Sequence, residues 1–329
     1  MSTSSQPRPE LIAQLKAGLD KTVRATDFES LGHKYEGKVR DNYTTKDGRR
    51  YVVATDRISA FDRVIGTLPF KGQLLTSMAA FWFEQTKSVA PNHVLSVPDP
   101  NVMECVECKS LPVEMVVRAY VTGVTSTSIW THYAAGKREF CGHTLPDGMK
   151  KNQRLPQPIL TPSTKAEKGG HDVSASREEI LKLTNMPASQ FDEAARIAMA
   201  LFAFGQKHAA KQGLILVDTK YELGTRPDGT IVVIDEIHTP DSSRYWFSSS
   251  YEERFASGQE PESFDKEYVR RWLAAQGYKG DGTPPTLPDE VRVEATARYV
   301  EAWERILGKR FEPNAEEPIA RMRRNLKVG

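Results

Sequence analysis

The stretch "LVDTKYELG", residues 216–224, sets Asp218, Lys220 and Glu222 at alternate positions directly after the apolar run Leu214, Ile215, Leu216 and Val217. In a strand, side chains at i, i+2 and i+4 share a face, so the three charged groups line up while Thr219, Tyr221 and Leu223 point the other way. "GTRPDGT" and "IVVIDE" predict a turn and a returning hairpin strand that brings Asp235 roughly opposite Asp218, with Glu236 after it. Carboxylates this close raise one another's pKa unless a cation compensates, and Lys220 alone does not balance these acids. Hard oxygen donors without histidine or thiolate suit Mg²⁺, which takes one or two carboxylates together with substrate phosphates. The same residues also fit a solvated hairpin end held by surface salt bridges.

Basic and hydroxyl-rich stretches supply candidates for the phosphates. "EGKVRD" places the flexible Gly37 beside Lys38, with Arg40 two residues on and on the same strand face, which suits a polyphosphate clamp. It is not a Walker loop, since no "GKS" or "GKT" follows a glycine-rich run, and a lone Gly-Lys pair is usually surface chemistry. "TPSTKAEKGGHD" collects Thr161, Ser163, Thr164, Lys165, Lys168, His171 and Asp172 in one expected loop, which suits an anion as well as a mobile surface loop. Arg244 in "TPDSSRYW" offers a planar fork for carboxylate or phosphate. Arg118, inside the apolar run "MVVRAYV", needs an anion, because an uncompensated buried guanidinium costs several kcal/mol.

The elements that must position these groups are mixed. An amphipathic helix is expected in "PELIAQLKAGLDKTVRATD", and a hairpin pairs a strand near Lys38–Thr44 with another near Arg50–Thr55 across Lys46, Asp47 and Gly48. Helical periodicity covers Leu74–Thr86, and "PVEMVVRAYVTG" is β-branched and strand-like. The Pro- and Gly-rich interval 136–170 reads as long irregular loops. Ser189 reads as the cap of a helix with Ala194, Ile197, Ala198, Leu201 and Phe202 on its apolar stripe and Gly213 at its exit. Further helices are expected at Lys266–Ala275 and Val291–Leu307. The class is α+β, divided as a sheet lobe at 1–112, a central α/β lobe at 113–250, and a helical segment at 251–329 that packs on the central lobe.

Composition bounds the partners. The 329 residues carry formal net charge +2 with 27% charged side chains, so no global field draws the chain to nucleic acid or membrane. No apolar run approaches the roughly 20 residues of a membrane span, and the polar start "MSTSSQPRPE" points to the cytoplasm. Cys105, Cys108 and Cys141 are an odd number, which favours free thiols. With His143 they would make a zinc set, but the single residue between Cys141 and His143 departs from the usual knuckle spacing. Phe81, Trp82, Phe83 and Trp272 fit helix cores better than base-stacking platforms.

In order, "GKVRD", "VATDRISAFD", "PVEMVVRAYVTG", "ILTPSTKAEKGGHD", "LILVDTKYELG" and "DEIHTPDSSRYW" closely resemble the SAICAR synthetase family, from about Gly37 to Trp272. The resemblance implies a two-lobed, ATP-grasp-like fold with the nucleotide between the lobes. It implies an ATP-dependent ligase that joins carboxyaminoimidazole ribonucleotide to L-aspartate, releasing ADP and phosphate. It places Gly37, Lys38 and Arg40 at the ATP phosphates, the segment Glu114–Val116 beside the adenine, and Lys165 on the nucleotide side. Glu222 and Asp235 would hold Mg²⁺, with Asp218 and Lys220 facing the substrates. Arg118, Asp172, Asp241, Arg244, Lys266 and Arg270 fall on substrate positions. After "VTG" some members have serine at once, whereas "VTSTS" here offers Ser126 or Ser128, of which Ser128 is the first choice. A homo-oligomer is compatible with the resemblance. The rival readings are a related ATP-dependent carboxylate ligase or kinase, and a catalytically silent nucleotide-binding scaffold.

Overall fold

The computed structural model describes residues 7–61, 63–125, 127–165, 173–264 and 267–329. The chain divides into two compact units, one formed by residues 1–81, 94–107 and 264–329, the other by 82–93 and 108–263. Among the described residues the sheets are antiparallel and alternate with helices, the expected α+β class.

In the first unit, Arg40–Thr44 and Arg49–Ala54 form the expected hairpin. They sit in a five-stranded sheet ordered His33–Glu36, Arg40–Thr44, Arg49–Ala54, Val102–Val106, Val94–Asp99 among the described residues. One face buries Tyr43, Val53 and Val102 against Phe28 and Met322. Met322 belongs to the C-terminal helix Pro318–Leu326, whose buried Arg321 donates to both carboxylate oxygens of Asp99 and, at 2.6 Å, to Asn101 Oδ1. The helix Asp289–Leu307 packs on Pro9–Ala17. Residues 264–329 therefore group with the N-terminal sheet, whereas the sequence reading had the C-terminal helices pack on the central lobe. The buried Arg321–Asp99 pair ties residues far apart in the chain, a link that helical periodicity does not carry.

The second unit is organised by the strand Leu214–Thr225. It pairs on one side with Lys109–Val121 and on the other with Ile231–Ile234 and Ser243–Phe247. The helix Ala188–Lys211 packs on this sheet through Phe191, Ala194, Ile197, Ala198, Leu201 and Phe202. It begins at Ala188 after Pro187 and makes no side-chain cap bond, so Ser189 is not its cap. The real capping box lies upstream, where Ser176 and Glu179 exchange bonds at the start of Arg177–Thr184. The interval expected as irregular contains the eight-residue strand Gln153–Leu160, paired to Lys109–Val121. Its prolines, Pro156 and Pro158, lie where the register shifts between Arg154 and Ile159. Among the described residues no helix is long and apolar enough to cross a membrane.

Candidate active site

The face predicted from alternation exists. Thr219, Tyr221 and Leu223 are buried on the helix side, while Asp218, Lys220 and Glu222 lie opposite Arg118, Val116 and Glu114 of the neighbouring strand. Glu222 and Glu114 are thus direct cross-strand partners, and Lys220 Nζ joins them, 2.8 Å from Glu222 Oε1 and 2.7 Å from Glu114 Oε1. Lys165 Nζ meets the other Glu222 oxygen, Oε2, and lies 3.1 Å from Ser110 Oγ. Its backbone follows Ser163–Thr164, a short strand paired with Val113 and Glu114. Burial pushes the Glu222 carboxyl up, but Lys220 and Lys165 outweigh it and hold the group at about 2. Burial likewise opposes the charged form of Lys220, yet Glu222, Glu114 and Asp235 raise its pKa above the ordinary lysine value.

The register corrects the placing of Asp235. Glu222 faces Ile234, so Asp235 comes beside the Lys220–Glu222 end of the face, whereas Asp218 faces Arg118 on one side and Arg244 on the other. The turn closes with Arg226 N donating to Thr230 O, which sets this register.

Around Asp218 the charge balance reverses. Arg118 Nη1 lies 3.4 Å from Asp218 Oδ2 and Arg244 Nε 3.5 Å from Oδ1, so two guanidiniums share one carboxylate. Burial lowers the Arg118 pKa, Asp218 opposes that effect, and the like charge of Arg244 adds to it. Arg118 Nε donates to Thr161 Oγ1 at 2.9 Å, and Thr161 N donates to Val116 O at 2.7 Å. Thr161 is thus a positioning contact for the arginine that sequence reasoning had treated only as one of several loop hydroxyls. Ser128 is buried at the start of the helix Ile129–Ala134, with its Oγ donating to Thr125 O. Gly123, at φ +101°, lets Ser128 and Arg244 approach: a Cβ there would lie 2.5 Å from Ser128 Cβ and 3.3 Å from Arg244 Nη1. Asp241 is half-buried, its N–H directed to Thr239 Oγ1. Asp172 and Lys266 lie outside the described residues, as do Ser126, Lys168 and His171.

In the first unit, Gly37, Lys38 and Arg40 form the turn between His33–Glu36 and Arg40–Thr44, closed by Gly37 N donating to Arg40 O at 2.8 Å. Arg57 holds it from beneath, donating to Gly37 O and Lys38 O at 2.9 Å each and to Asp41 Oδ1 at 2.8 Å. Lys38 is exposed and Arg40 half-buried. Arg57 was visible in "TDRIS", but nothing local marks it as the support of a turn seventeen or more residues earlier. Arg270 is half-buried on Glu267–Ala275 of the same unit.

Glu222 and Asp235 offer only hard oxygens, and Glu222 is held ionised, so this pair fits Mg²⁺ completed by phosphate oxygens and water. Among the described residues there is no cluster of three or more His, Cys, Asp or Glu placed to hold a metal, which speaks against the Cys105, Cys108, Cys141 and His143 zinc set. His143 Nε2 instead lies 2.7 Å from Leu160 O, and burial pushes the Cys141 thiol up to about 12.

A family model described as SAICAR synthetase matches residues 33–285. The phosphoribosylaminoimidazole-succinocarboxamide synthase of Legionella pneumophila (strain Lens) is 49% identical over 283 residues, 85% of this chain and 89% of its own. The chloroplastic enzyme of that name from Arabidopsis thaliana is 46% identical over 330 residues, 98% of this chain and 79% of its own. Among solved structures, the SAICAR synthase of Saccharomyces cerevisiae complexed with SAICAR superimposes with a TM-score of 0.76 at 29% identity, covering 89% of this chain and 100% of that one. With the matched motifs carrying both the carboxylate–lysine face and the paired arginines, the chain belongs to the SAICAR synthetase family, ligases of purine biosynthesis that form a carbon–nitrogen bond.

Proposed function

We propose that the chain condenses carboxyaminoimidazole ribonucleotide with L-aspartate at the expense of ATP, releasing ADP and phosphate. The observation that carries this reading is the division of one strand face into two ends of opposite character. At one end Glu222 and Glu114 are compensated by Lys220 and Lys165; at the other Arg118 and Arg244 outnumber Asp218. The first end suits a cation with its triphosphate, the second an anionic nucleotide.

The substrate carboxylate attacks the γ-phosphorus of ATP, the bond to ADP breaks, and an acyl phosphate results. The aspartate amine then attacks the acyl carbon and phosphate leaves, with loss of one amine proton. Mg²⁺, when bound by Glu222 and Asp235, supplies charge neutralisation at the phosphates. Lys165 and Lys220 orient and neutralise, and Gly37, Lys38 and Arg40 offer a phosphate-contacting turn. Glu114 and Val116 border the adenine. Arg118, Ser128, Asp218, Asp241, Arg244 and Arg270 bind the imidazole nucleotide or aspartate, with Asp172 and Lys266 in the same role. An ATP-grasp-like arrangement and a cytoplasmic enzyme belong to this reading.

ADP release measured with both substrates, and with each omitted, tests it. Turnover must require both together, and an oxygen isotope in the substrate carboxylate must reappear in inorganic phosphate. Equal ADP release with either substrate missing would refute the reaction.

A further inference from the structure

The loop "DEIHTPDSSR", residues 235–244, carries Asp235, Asp241 and Arg244, yet its centre is deeply buried: Glu236, Ile237, His238 and Thr239 are all closed to solvent. Its backbone is constrained at two non-glycine residues, Asp235 at φ 65° and His238 at φ 54°, which is uncommon and persists where surroundings impose it. The surroundings of His238 are specific. Its Nε2 lies 2.6 Å from Tyr221 Oη, and its carbonyl accepts a bond from Tyr245 Oη at 2.8 Å. The ring stands at 89° to Trp82 with centroids 4.6 Å apart. Gly205 of the packing helix leaves room for it, since a Cβ there would lie 2.5 Å from His238 Cε1.

Tyr221 belongs to the same strand as Asp218, Lys220 and Glu222 but faces the opposite way. Tyr245 follows Arg244. The two tyrosines therefore bracket the loop from the strands that carry the charged face. Thr239 continues the anchor, donating to Glu236 Oε2 at 2.5 Å and accepting the N–H groups of Ser242 and Ser243 at its carbonyl. Burial keeps the imidazole neutral, with its pKa lowered to about 3, so the anchor does not change charge over the working pH range.

We propose that His238, held by Tyr221, is a positioning residue that locks the loop in the conformation in which Asp235 and Asp241 reach their ligands. This rests on the roles assigned to Asp235 and Asp241 under the proposed function. The alternative is a core histidine that contributes packing alone, and the tyrosine hydroxyl separates the two. Tyr221→Phe keeps the ring and removes the bond.

Three measurements on the full chain test the proposal. Hydrogen exchange, read without substrates, should rise about tenfold across residues 235–244 in Tyr221→Phe and stay unchanged in the helix Ala188–Lys211. Steady-state kinetics should give a kcat about tenfold lower with the KM for ATP within about twofold of wild type, as expected when catalytic groups are slightly misplaced. His238→Gln, whose carboxamide can still bond Tyr221, should recover most of kcat, whereas His238→Leu should not. Unchanged exchange in the loop, wild-type kcat in Tyr221→Phe, or equal losses in His238→Gln and His238→Leu would each overturn it. Absence of substrate-dependent turnover in the wild type would instead contradict the proposed reaction, while the exchange result would still decide the anchor.

Discussion

Glu222 stands directly across the strand pair from Glu114, and Lys220 Nζ, within 2.8 Å of one and 2.7 Å of the other, is the cation that permits it. Lys165 adds a second cation on the far oxygen of Glu222. The pair is therefore an acidic site with its own counter-charges.

Stability should follow pH through Glu222. Its folded pKa, about 2, lies below the ordinary 4.5, so its stabilising contribution is complete above about 4.5 and is lost as the pH falls through 2. Urea unfolding of the wild type and of Glu222→Gln should reveal it. The loss between pH 5 and pH 2 should be smaller in the variant, by on the order of 2 kcal/mol. An identical pH slope in both proteins would show that the lysines do not hold this carboxylate.

Removing Lys220 should have the opposite pH signature. In Lys220→Met both Glu222 and Glu114 lose the cation that joins them, so the ionised face is less well compensated at high pH than at low pH. Stability is then retained at low pH and lost as pH rises. The expected deficit is about 1–2 kcal/mol at pH 8, modest because about a third of the Lys220 side chain remains open to water, and smaller at pH 5. Thermal midpoints at the two pH values are the check; a larger loss at pH 5 contradicts the assignment.

Arg244→Ala should act on the other end of the face. It leaves Arg118 alone with Asp218 and removes the excess positive charge. The KM for the imidazole nucleotide or for aspartate should rise by about tenfold or more, with the KM for ATP little changed. An effect confined to ATP would place Arg244 at the wrong end.

Much of this site was readable in the chain. The alternation of Asp218, Lys220 and Glu222 follows from strand geometry, and the oddity of Arg118 in an apolar run correctly signalled a buried partner, Asp218. What local pattern did not carry was register: Asp235 falls beside Lys220 and Glu222, because the turn pairs Thr225 with Ile231 and Glu222 with Ile234. Nor did it carry supports from distant strands, such as Arg57 beneath Gly37 and Lys38, or Thr161 on Arg118. The helices expected at Lys266–Ala275 and Val291–Leu307 were foreseen as helices but not as part of the first unit, and the helix Pro318–Leu326, which carries the long-range Arg321–Asp99 pair, was not foreseen. The capping box at Ser176 and Glu179 was present in "SASREE", and serves to show that a cap followed by an apolar run outweighs a lone serine such as Ser189.

The most direct test of the whole account is Glu222→Gln in the ADP-release assay with ATP, carboxyaminoimidazole ribonucleotide, L-aspartate and saturating Mg²⁺. The substitution keeps the shape of the side chain and removes the charge on which Lys165 and Lys220 converge and which the proposed Mg²⁺ would need. The variant should fold, and its turnover should fall by about a hundredfold or more. Near-normal turnover in a folded variant would contradict the account.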